Sequence, residues 1–192
     1  MRAKLPAHLQ PVTTFAYITG WRIRSEILPL TWQRVDFKAN VIRLDVNTTK
    51  SGEGREFVMT PHLRAILEAQ RATTEAVQRK RGIIIPTVFH RNGRPIKSFY
   101  KAWKTACLAA GCPGRIVHDF RRTAVRNLER AGVPRSTAMQ MVGHRTMEIY
   151  SRYAITDSVM LREGSEKLAA SLEGKVLGKV GSAAGGAALA SV

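Results

Sequence analysis

Residues 118–153 read HDFRRTAVRNLERAGVPRSTAMQMVGHRTMEIYSRY, and this stretch decides which fold the chain is expected to adopt. His118 and Arg121 are three residues apart, so on a helix both side chains lie on one face. Gly132 and Pro134 are typical of a helix end followed by the start of a second helix. The stretch therefore predicts two successive helices, with an imidazole and a guanidinium close together on the first.

Two further side chains with related chemistry follow in the second half of this stretch. We expect the short second helix to end at Gly143, which leaves His144 in a turn. Tyr153 comes nine residues after His144, on a further short helical stretch. Tyr150 lies three residues before Tyr153 on the same predicted helix face, so the two phenols compete for one role. Two imidazoles, a guanidinium and a phenol can thus converge on one small anion.

This stretch resembles the second sequence box of the tyrosine recombinase, or phage integrase, family, which reads H-x-x-R, then G-H, then Tyr about nine residues on. The matching positions, all with the family's spacing, are His118, Arg121, His144 and Tyr153. The resemblance implies that Tyr153 is the nucleophile that attacks DNA. Its distance in sequence from His144 favours it over Tyr150, which is then expected to be a buried aromatic residue.

The resemblance extends to residues 19–32, which read TGWRIRSEILPLTW. Family members carry here a T-G-x-R box, followed by an acidic residue and an apolar stretch with Leu and Trp. The acidic residue usually comes three positions after the arginine, whereas Glu26 comes four after Arg22, so one residue is inserted. We favour Arg22 as the functional arginine because the T-G-x-R spacing is kept, with Arg24 as the alternative. Glu26 is expected to be the partner of an arginine rather than a catalyst.

Three short segments between the two boxes predict β-strands, because they are rich in β-branched and aromatic residues and partly alternate. They are residues 35–37, 41–44 and 56–59. A glycine-containing loop joins the last two, and Lys50 stands where the strand ends and the turn begins. A lone lysine in such a turn is ordinary. The resemblance nominates Lys50, because in recombinases a lysine on such a β-hairpin reaches into the active site.

Apolar residues at helical spacing predict helices over much of the remaining chain. These stretches are residues 8–18, 61–80, 98–110 and 158–172. The expected fold class is therefore mainly α with a small antiparallel β-sheet at one edge (α+β). The resemblance implies that this is the tyrosine recombinase catalytic-domain fold.

The composition changes near the C-terminus, where residues 173–192 are rich in Gly, Ala and Ser and offer little to anchor them. We therefore assign residues 1–172 to one catalytic domain and residues 173–192 to a flexible tail, or one that docks on a neighbouring subunit. Family members usually carry an N-terminal helical domain that completes a clamp around DNA. This chain starts almost at the catalytic domain, as expected for a fragment or a truncated gene product that binds DNA weakly by itself.

The charge balance points to a polyanionic partner. Lys and Arg total 31 against 14 Asp and Glu, which gives a formal net charge of +17 and a pI near 10.9. This surplus favours double-stranded DNA over an anionic membrane, because no basic amphipathic helix with an aromatic face stands out. No apolar run approaches the length of a membrane span, and the N-terminus lacks the apolar core of a signal peptide. We expect a cytoplasmic, DNA-associated protein of a cell without a nucleus.

The candidate residues together suit attack on a phosphodiester. Two arginines can hold both non-bridging oxygens and stabilise the charge that builds up on them during attack. By the resemblance, His118 is the general base for Tyr153. In the same way, His144 donates a hydrogen bond to the phosphate and Lys50 protonates the departing 5′ oxygen. No cofactor is implied, and the spacing of the two cysteines is not that of a metal site.

The expected function is site-specific DNA recombination of the integrase type, by a homotetramer that acts on paired DNA sites through a 3′-phosphotyrosyl intermediate. A type IB topoisomerase-like enzyme would use the same chemistry to relax DNA, but the small size and the G-H dipeptide favour recombination. A recombinase-derived DNA-binding module without catalysis is the third alternative. The shifted acidic residue and the missing clamp domain favour it, and the intact candidate set opposes it. That set is Arg22, Lys50, His118, Arg121, His144 and Tyr153.

Overall fold

The computed structural model describes residues 1–46, 54–154 and 158–183. The chain divides into two compact units, Met1–Ala154 and Ile155–Val192. In the first unit the described α-helices are α1 Gln10–Thr19, α2 Pro61–Arg81, α3 Tyr100–Ala109, α4 Asp119–Arg130, α5 Arg135–Val142 and α6 Met147–Ser151. The described strands are β1 Val35–Asp36, β2 Val41–Leu44, β3 Arg55–Val58, β4 His90–Arg91 and β5 Arg94–Pro95. The predicted fold class, mainly α with a small antiparallel sheet, is confirmed.

Local sequence explains where the 21-residue helix α2 begins. The side-chain oxygen of Thr60 accepts a hydrogen bond from the backbone N–H of Leu63 at 3.2 Å and so caps the helix. Pro61 fits the first helical position, where its missing N–H costs nothing. The helix that the sequence predicts over residues 61–80 is confirmed, and it continues to Arg81.

The strands β1, β2 and β3 form an antiparallel sheet in that order, which confirms the three predicted strands. The register of β2 and β3 sets Leu44 opposite Arg55. Arg55 is therefore the first paired residue after the hairpin loop. Residues 47–53 of that loop, with Lys50 among them, lie outside the described part of the chain.

The core of the first unit has an aromatic centre. The ring centroid of Phe15 in α1 lies 5.7 Å from that of Trp21 and 5.6 Å from that of Phe89. Trp21 in turn lies 6.2 Å from Phe57 in β3. All four rings are buried and meet edge to face, an arrangement that aromatic quadrupoles favour. They join α1, the turn after it and the three-stranded sheet into one core.

Gly20 brings the end of α1 against the helices of the second sequence box. Its φ is +65°, and a Cβ here would lie 2.9 Å from Cβ of Ala124 and 3.1 Å from Cγ1 of Val142. Any side chain at this position would therefore force α4 or α5 outward. The T-G-x-R turn rests directly on both helices, and this packing is what places the two boxes side by side.

The described part of the second unit is α7, Ser158–Ala183. The helix starts where the sequence predicts it, but it continues past residue 172, so the predicted helix end is wrong. Residues 173–183 include Glu, Lys, Leu and Ala, which are good helix formers, and each glycine among them costs only about 1 kcal/mol relative to alanine. The division between domain and tail at residue 172 stays a prediction.

Candidate active site

The residue inserted between Arg22 and Glu26 is absorbed by a π-helical turn, Ile23–Ile27. The backbone N–H of Leu28 donates to the carbonyl of Ile23 at 2.9 Å, a bond that spans five residues instead of four. The carboxylate of Glu26 still reaches its expected partner. It accepts from Nη1 of Arg22 and from the backbone N–H of Arg22, both at 2.7 Å. The insertion therefore changes the turn and leaves the arginine–carboxylate pair intact.

The same turn separates the two candidate arginines of the first box. The side chain of Arg22 is 29% exposed, and its positive charge acts on both His118 and Arg121, whose pKa values it lowers. Arg24 is exposed and lies on another side of the turn. There it lines a surface cavity together with Leu28. The structure thus brings Arg22, and not Arg24, to the residues of the second box.

Arg121, in the first turn of α4, is 2% exposed and binds the protein on nearly all of its donors. Nη1 donates to the carbonyls of Gly20 at 2.9 Å and Val142 at 2.6 Å, and Nη2 donates to the carbonyl of Gly143 at 3.0 Å. Nε donates to Nε2 of His144 at 2.9 Å. Burial, and next the charge of Arg22, lower the pKa of Arg121 to about 10. One N–H of the five remains without a described acceptor.

His144 follows α5 in the turn that the sequence predicts, and it is 7% exposed. Its Nε2 accepts from Nε of Arg121, so the ring is neutral and carries its proton on Nδ1. The pKa of His144 is lowered to about 3, chiefly by burial and next by the charge of Arg121. Nδ1 is buried without a hydrogen-bond partner among the described residues. The proton on Nδ1 is therefore the one donor of this ring without a described acceptor.

His118 and Tyr153 meet directly. Nε2 of His118, the residue just before α4, lies 3.0 Å from the hydroxyl oxygen of Tyr153. Burial first, and then the charge of Arg121, lower the pKa of His118, so the neutral ring that can accept a proton is favoured. The ring of Tyr153 also lies 4.8 Å from the ring of His144, centroid to centroid.

Tyr150 is placed quite differently from Tyr153. It is fully buried, and its hydroxyl donates to the carboxylate of Glu129 at 2.8 Å. Burial, and next the hydrogen bond to Glu129, raise its pKa. The prediction that the two phenols share a helix face is wrong, because α6 ends at Ser151 and Tyr153 lies in the turn beyond it. Tyr150 is therefore a buried aromatic residue, as we expected for the tyrosine that is not the nucleophile.

One residue of this cluster escaped the sequence analysis. Arg55 has a side chain that is only 7% exposed, and its Nη2 lies 2.5 Å from Oε1 of Glu26. A signal was present, because side chains two apart in a strand face the same side, and Phe57 is an obvious core residue. As an aromatic residue of a predicted strand, Phe57 is expected to face the core, so Arg55, two residues before it, is expected to face the same side.

Charge dominates the assembled site. The guanidiniums of Arg22 and Arg55 contact one carboxylate, that of Glu26, and Arg121 lies beside them. Three positive charges against one negative charge leave a surplus that a bound anion would neutralise. Among residues 1–46, 54–154 and 158–183, no group of three or more His, Cys, Asp or Glu is placed to hold a metal ion. In the same part of the chain no helix is long and apolar enough to cross a membrane.

Comparison with known proteins assigns the family. Residues 1–158 match the model described as the phage integrase family. The integrase of Salmonella phage P22 is 27% identical over 158 residues, a match that covers 76% of this chain and 38% of that protein. The chain belongs to the phage integrase family, and it spans well under half the length of this curated relative.

Solved structures agree with the family in fold. The XerA recombinase has a TM-score of 0.66 at 17% identity, over 83% of this chain and 56% of that chain. The Tn1549 transposon integrase, in complex with a circular intermediate DNA, has a TM-score of 0.63 at 18% identity, over 83% and 58%. A lambda integrase dimer bound to a COC′ core site has a TM-score of 0.59 at 18% identity, over 80% and 54%. The first unit therefore has the tyrosine recombinase catalytic-domain fold.

Proposed function

We propose that this chain is the catalytic domain of a site-specific DNA recombinase that cuts and rejoins DNA through a 3′-phosphotyrosyl bond. The observation that carries the proposal is the 3.0 Å contact between the hydroxyl of Tyr153 and Nε2 of His118, beside a surplus of guanidinium charge. A phenol, a neutral imidazole and a cationic pocket are the parts that metal-free attack on a phosphodiester needs.

The first step makes one bond and breaks one. A phenol has a pKa near 10, so His118 takes its proton as the oxygen of Tyr153 attacks phosphorus. The phosphorus–O5′ bond breaks, and the departing 5′ oxygen takes a proton, a role that we assign to Lys50. The energy of the broken bond is kept in the phosphotyrosyl bond. A 5′ hydroxyl of another strand then attacks in the reverse sense and releases Tyr153.

We assign different parts to the two arginines. Arg22 is partly exposed and shares its carboxylate with a second cation, so it is able to turn N–H groups toward a phosphate. Arg121 has one N–H left and contributes mainly its fixed positive charge. His144 would add a hydrogen bond from Nδ1. These groups stabilise charge that develops only as phosphorus becomes five-coordinate, which is where binding energy raises a rate.

The proposed partner is double-stranded DNA, engaged by a homotetramer on paired sites in the cytoplasm. The net charge of +17 supports a polyanion. In two of the structures with a similar fold, the Tn1549 integrase is in complex with a circular intermediate DNA and lambda integrase is bound to a COC′ core site.

The test is covalent trapping on DNA with a nick near the scissile phosphate, using a panel of sequences from the gene's own locus. We expect a denaturant-resistant adduct that peptide mapping places on Tyr153. Tyr153→Phe should abolish the adduct, and Tyr150→Phe, the matched control, should keep it. An adduct on Tyr150 would contradict the assigned nucleophile. DNA binding that is salt-sensitive and never covalent would contradict catalysis and favour the silent DNA-binding module.

A further inference from the structure

Arg55 connects the β2–β3 hairpin to the cationic site. It is the first residue of β3, directly after the loop that contains Lys50, and its pairing with Leu44 fixes its register. Phe57, two residues on, is buried in the aromatic core, so the strand cannot slip by one residue without exposing that ring. The direction in which Arg55 points is therefore set by the fold and not by the loop.

The guanidinium of Arg55 contacts one oxygen atom used by each of the two arginines proposed to act on the phosphate, through an ion pair with Glu26 and a hydrogen bond to Val142. Oε1 of Glu26 lies 2.5 Å from Nη2 of Arg55 and accepts from Nη1 of Arg22 at 2.7 Å. The carbonyl oxygen of Val142 accepts from Nη1 of Arg55 at 2.8 Å and from Nη1 of Arg121 at 2.6 Å. One planar side chain thus links both arginines through common oxygen atoms.

The glycine before His144 leaves room for this link. Gly143 has a φ of +74°, and a Cβ there would overlap Nη1 and Cζ of Arg55. The guanidinium therefore occupies the space that a side chain at position 143 would need. In this chain the G of the G-H dipeptide serves Arg55 as well as the backbone turn.

Arg55 also sets the charge that Arg22 experiences. The guanidinium of Arg55 repels that of Arg22 and so offsets part of the attraction that Glu26 exerts on Arg22. Without Arg55 that repulsion is lost, and Glu26 would hold the donors of Arg22 more tightly, away from a phosphate. Burial lowers the pKa of Arg55, but the charge of Glu26 opposes that effect and favours the charged form.

We propose that Arg55 is a positioning residue for strand cleavage. Through Glu26 it keeps Arg22 available to the phosphate, and through Val142 it fixes the turn that carries His144. This inference rests on the proposed recombinase function, and it assigns to Arg55 no contact with the reacting atoms.

The test measures single-turnover cleavage of the nicked substrate across DNA concentrations, which separates the rate at saturation from the half-saturating concentration. Arg55→Met should lower the saturated rate on the order of 10²-fold, as expected when catalytic groups are misplaced by a fraction of an ångström to an ångström. Arg55→Lys keeps the charge but cannot reach both acceptors, so we expect a loss of about 10-fold. The half-saturating concentration should change less than about twofold, because Arg55 is buried.

Arg43→Met is the matched control. Arg43 lies on β2 of the same hairpin and pairs with Asp36 and Glu56 on the exposed side, away from the site. Its removal lowers the net charge of the protein as much as the loss of Arg55 does. The control should cleave at the wild-type rate, so a defect confined to Arg55 variants cannot come from weaker general attraction to DNA.

A double substitution asks whether Arg55 acts through Glu26. Glu26→Gln removes the carboxylate charge, so adding Arg55→Met to it should cost much less than Arg55→Met costs in the wild type. Circular dichroism and thermal unfolding confirm that each variant is folded. If Arg55→Met does not fold, the same measurements are made on Arg55→Lys, both in the wild type and together with Glu26→Gln. The coupling is then judged from those two losses of rate.

The outcomes separate this inference from the proposed function. A wild-type chain that forms no covalent adduct overturns the proposed function itself. A wild type that cleaves, with folded Arg55 variants that match it at saturating DNA, overturns only the positioning role. Fully additive losses from Glu26→Gln and Arg55→Met would likewise contradict the coupling through the shared carboxylate.

Discussion

The turn at Gly143 and His144 and the segment around Tyr153 lie on either side of the same site, but they are held in very different ways. Arg121 donates three hydrogen bonds to the turn, at Val142, Gly143 and His144, and a fourth to the carbonyl of Gly20. Arg55 donates one more to Val142. Tyr153 lies beyond the end of α6, and its hydroxyl has one described polar partner, His118.

This difference separates two requirements of phosphoryl transfer. Charges that stabilise a transition state act best when they are fixed in advance, since moving them during the reaction costs energy. A nucleophile must instead travel to phosphorus and later leave it. The rigid turn suits the first task, and a tyrosine in the turn beyond a five-residue helix suits the second. The contrast predicts that substitutions in the turn affect stability and rate together, whereas those near Tyr153 affect mainly the rate.

The largest expected effect comes from Arg121→Lys, compared with Arg22→Lys. Each should lower the cleavage rate by about 10²–10³-fold, because lysine in place of Arg22 lacks the forked donors proposed to hold the phosphate, and lysine in place of Arg121 cannot hold the turn of His144 in place. Arg121→Lys should also lower the free energy of unfolding by about 3 kcal/mol, because buried carbonyls lose their donors. Arg22→Lys should lower it by less than about 1 kcal/mol, as its ion pair is partly exposed. Urea unfolding with single-turnover cleavage checks both, and equal losses of stability would refute the contrast.

The next effect is a pH dependence of cleavage. The pKa of His118 is lowered, so its neutral, proton-accepting form predominates at pH 7 and persists below the ordinary value of 6.5. The rate should therefore be nearly flat from pH 8 to 6.5, and it should fall tenfold per pH unit once the pH is below the pKa of His118. In His118→Gln the cleavage rate that remains should no longer fall in this way as the pH is lowered. A rate that already declines between pH 8 and 7 would count against His118 as the base.

The smallest effect concerns the stability of the turn. The pKa of His144 is lowered to about 3, so below pH 6.5 the unfolded chain binds a proton that the folded chain refuses. The free energy of unfolding should therefore fall as the pH falls, by up to about 2 kcal/mol between pH 7 and pH 5 from this residue. His144→Asn should show a correspondingly flatter pH dependence. Equal slopes in the two proteins would show that His144 already binds a proton in the folded state.

Most of the candidate site could be predicted because its members are marked by residue type and spacing. His118, Arg121, His144 and Tyr153 stand in one stretch, and the structure brings them together. The side toward which Tyr150 points could not be read from spacing, because the end of α6 one residue later changes the direction of the chain.

Other features were hidden because they depend on contacts between distant parts of the chain. Arg55 is 29 residues from Glu26 and 87 from Val142 in sequence, and no local motif connects them. The binding of Arg121 to carbonyl oxygens was equally invisible, since every residue type carries the same backbone acceptor. Patterns in sequence identify which side chains can react, and packing decides which of them are held still.

The π-helical turn after Arg22 has a consequence for how such genes can change in length. An extra residue in a regular helix rotates everything after it by about 100°, so the misplacement spreads down the chain. Here a single widened turn takes up the addition, and Arg22 and Glu26 remain 2.7 Å apart. A codon gained beside a reaction centre can therefore be silent for its chemistry. Assigning chains to the family by motif spacing alone would then overlook some members, whereas the contact between the two side chains would identify them.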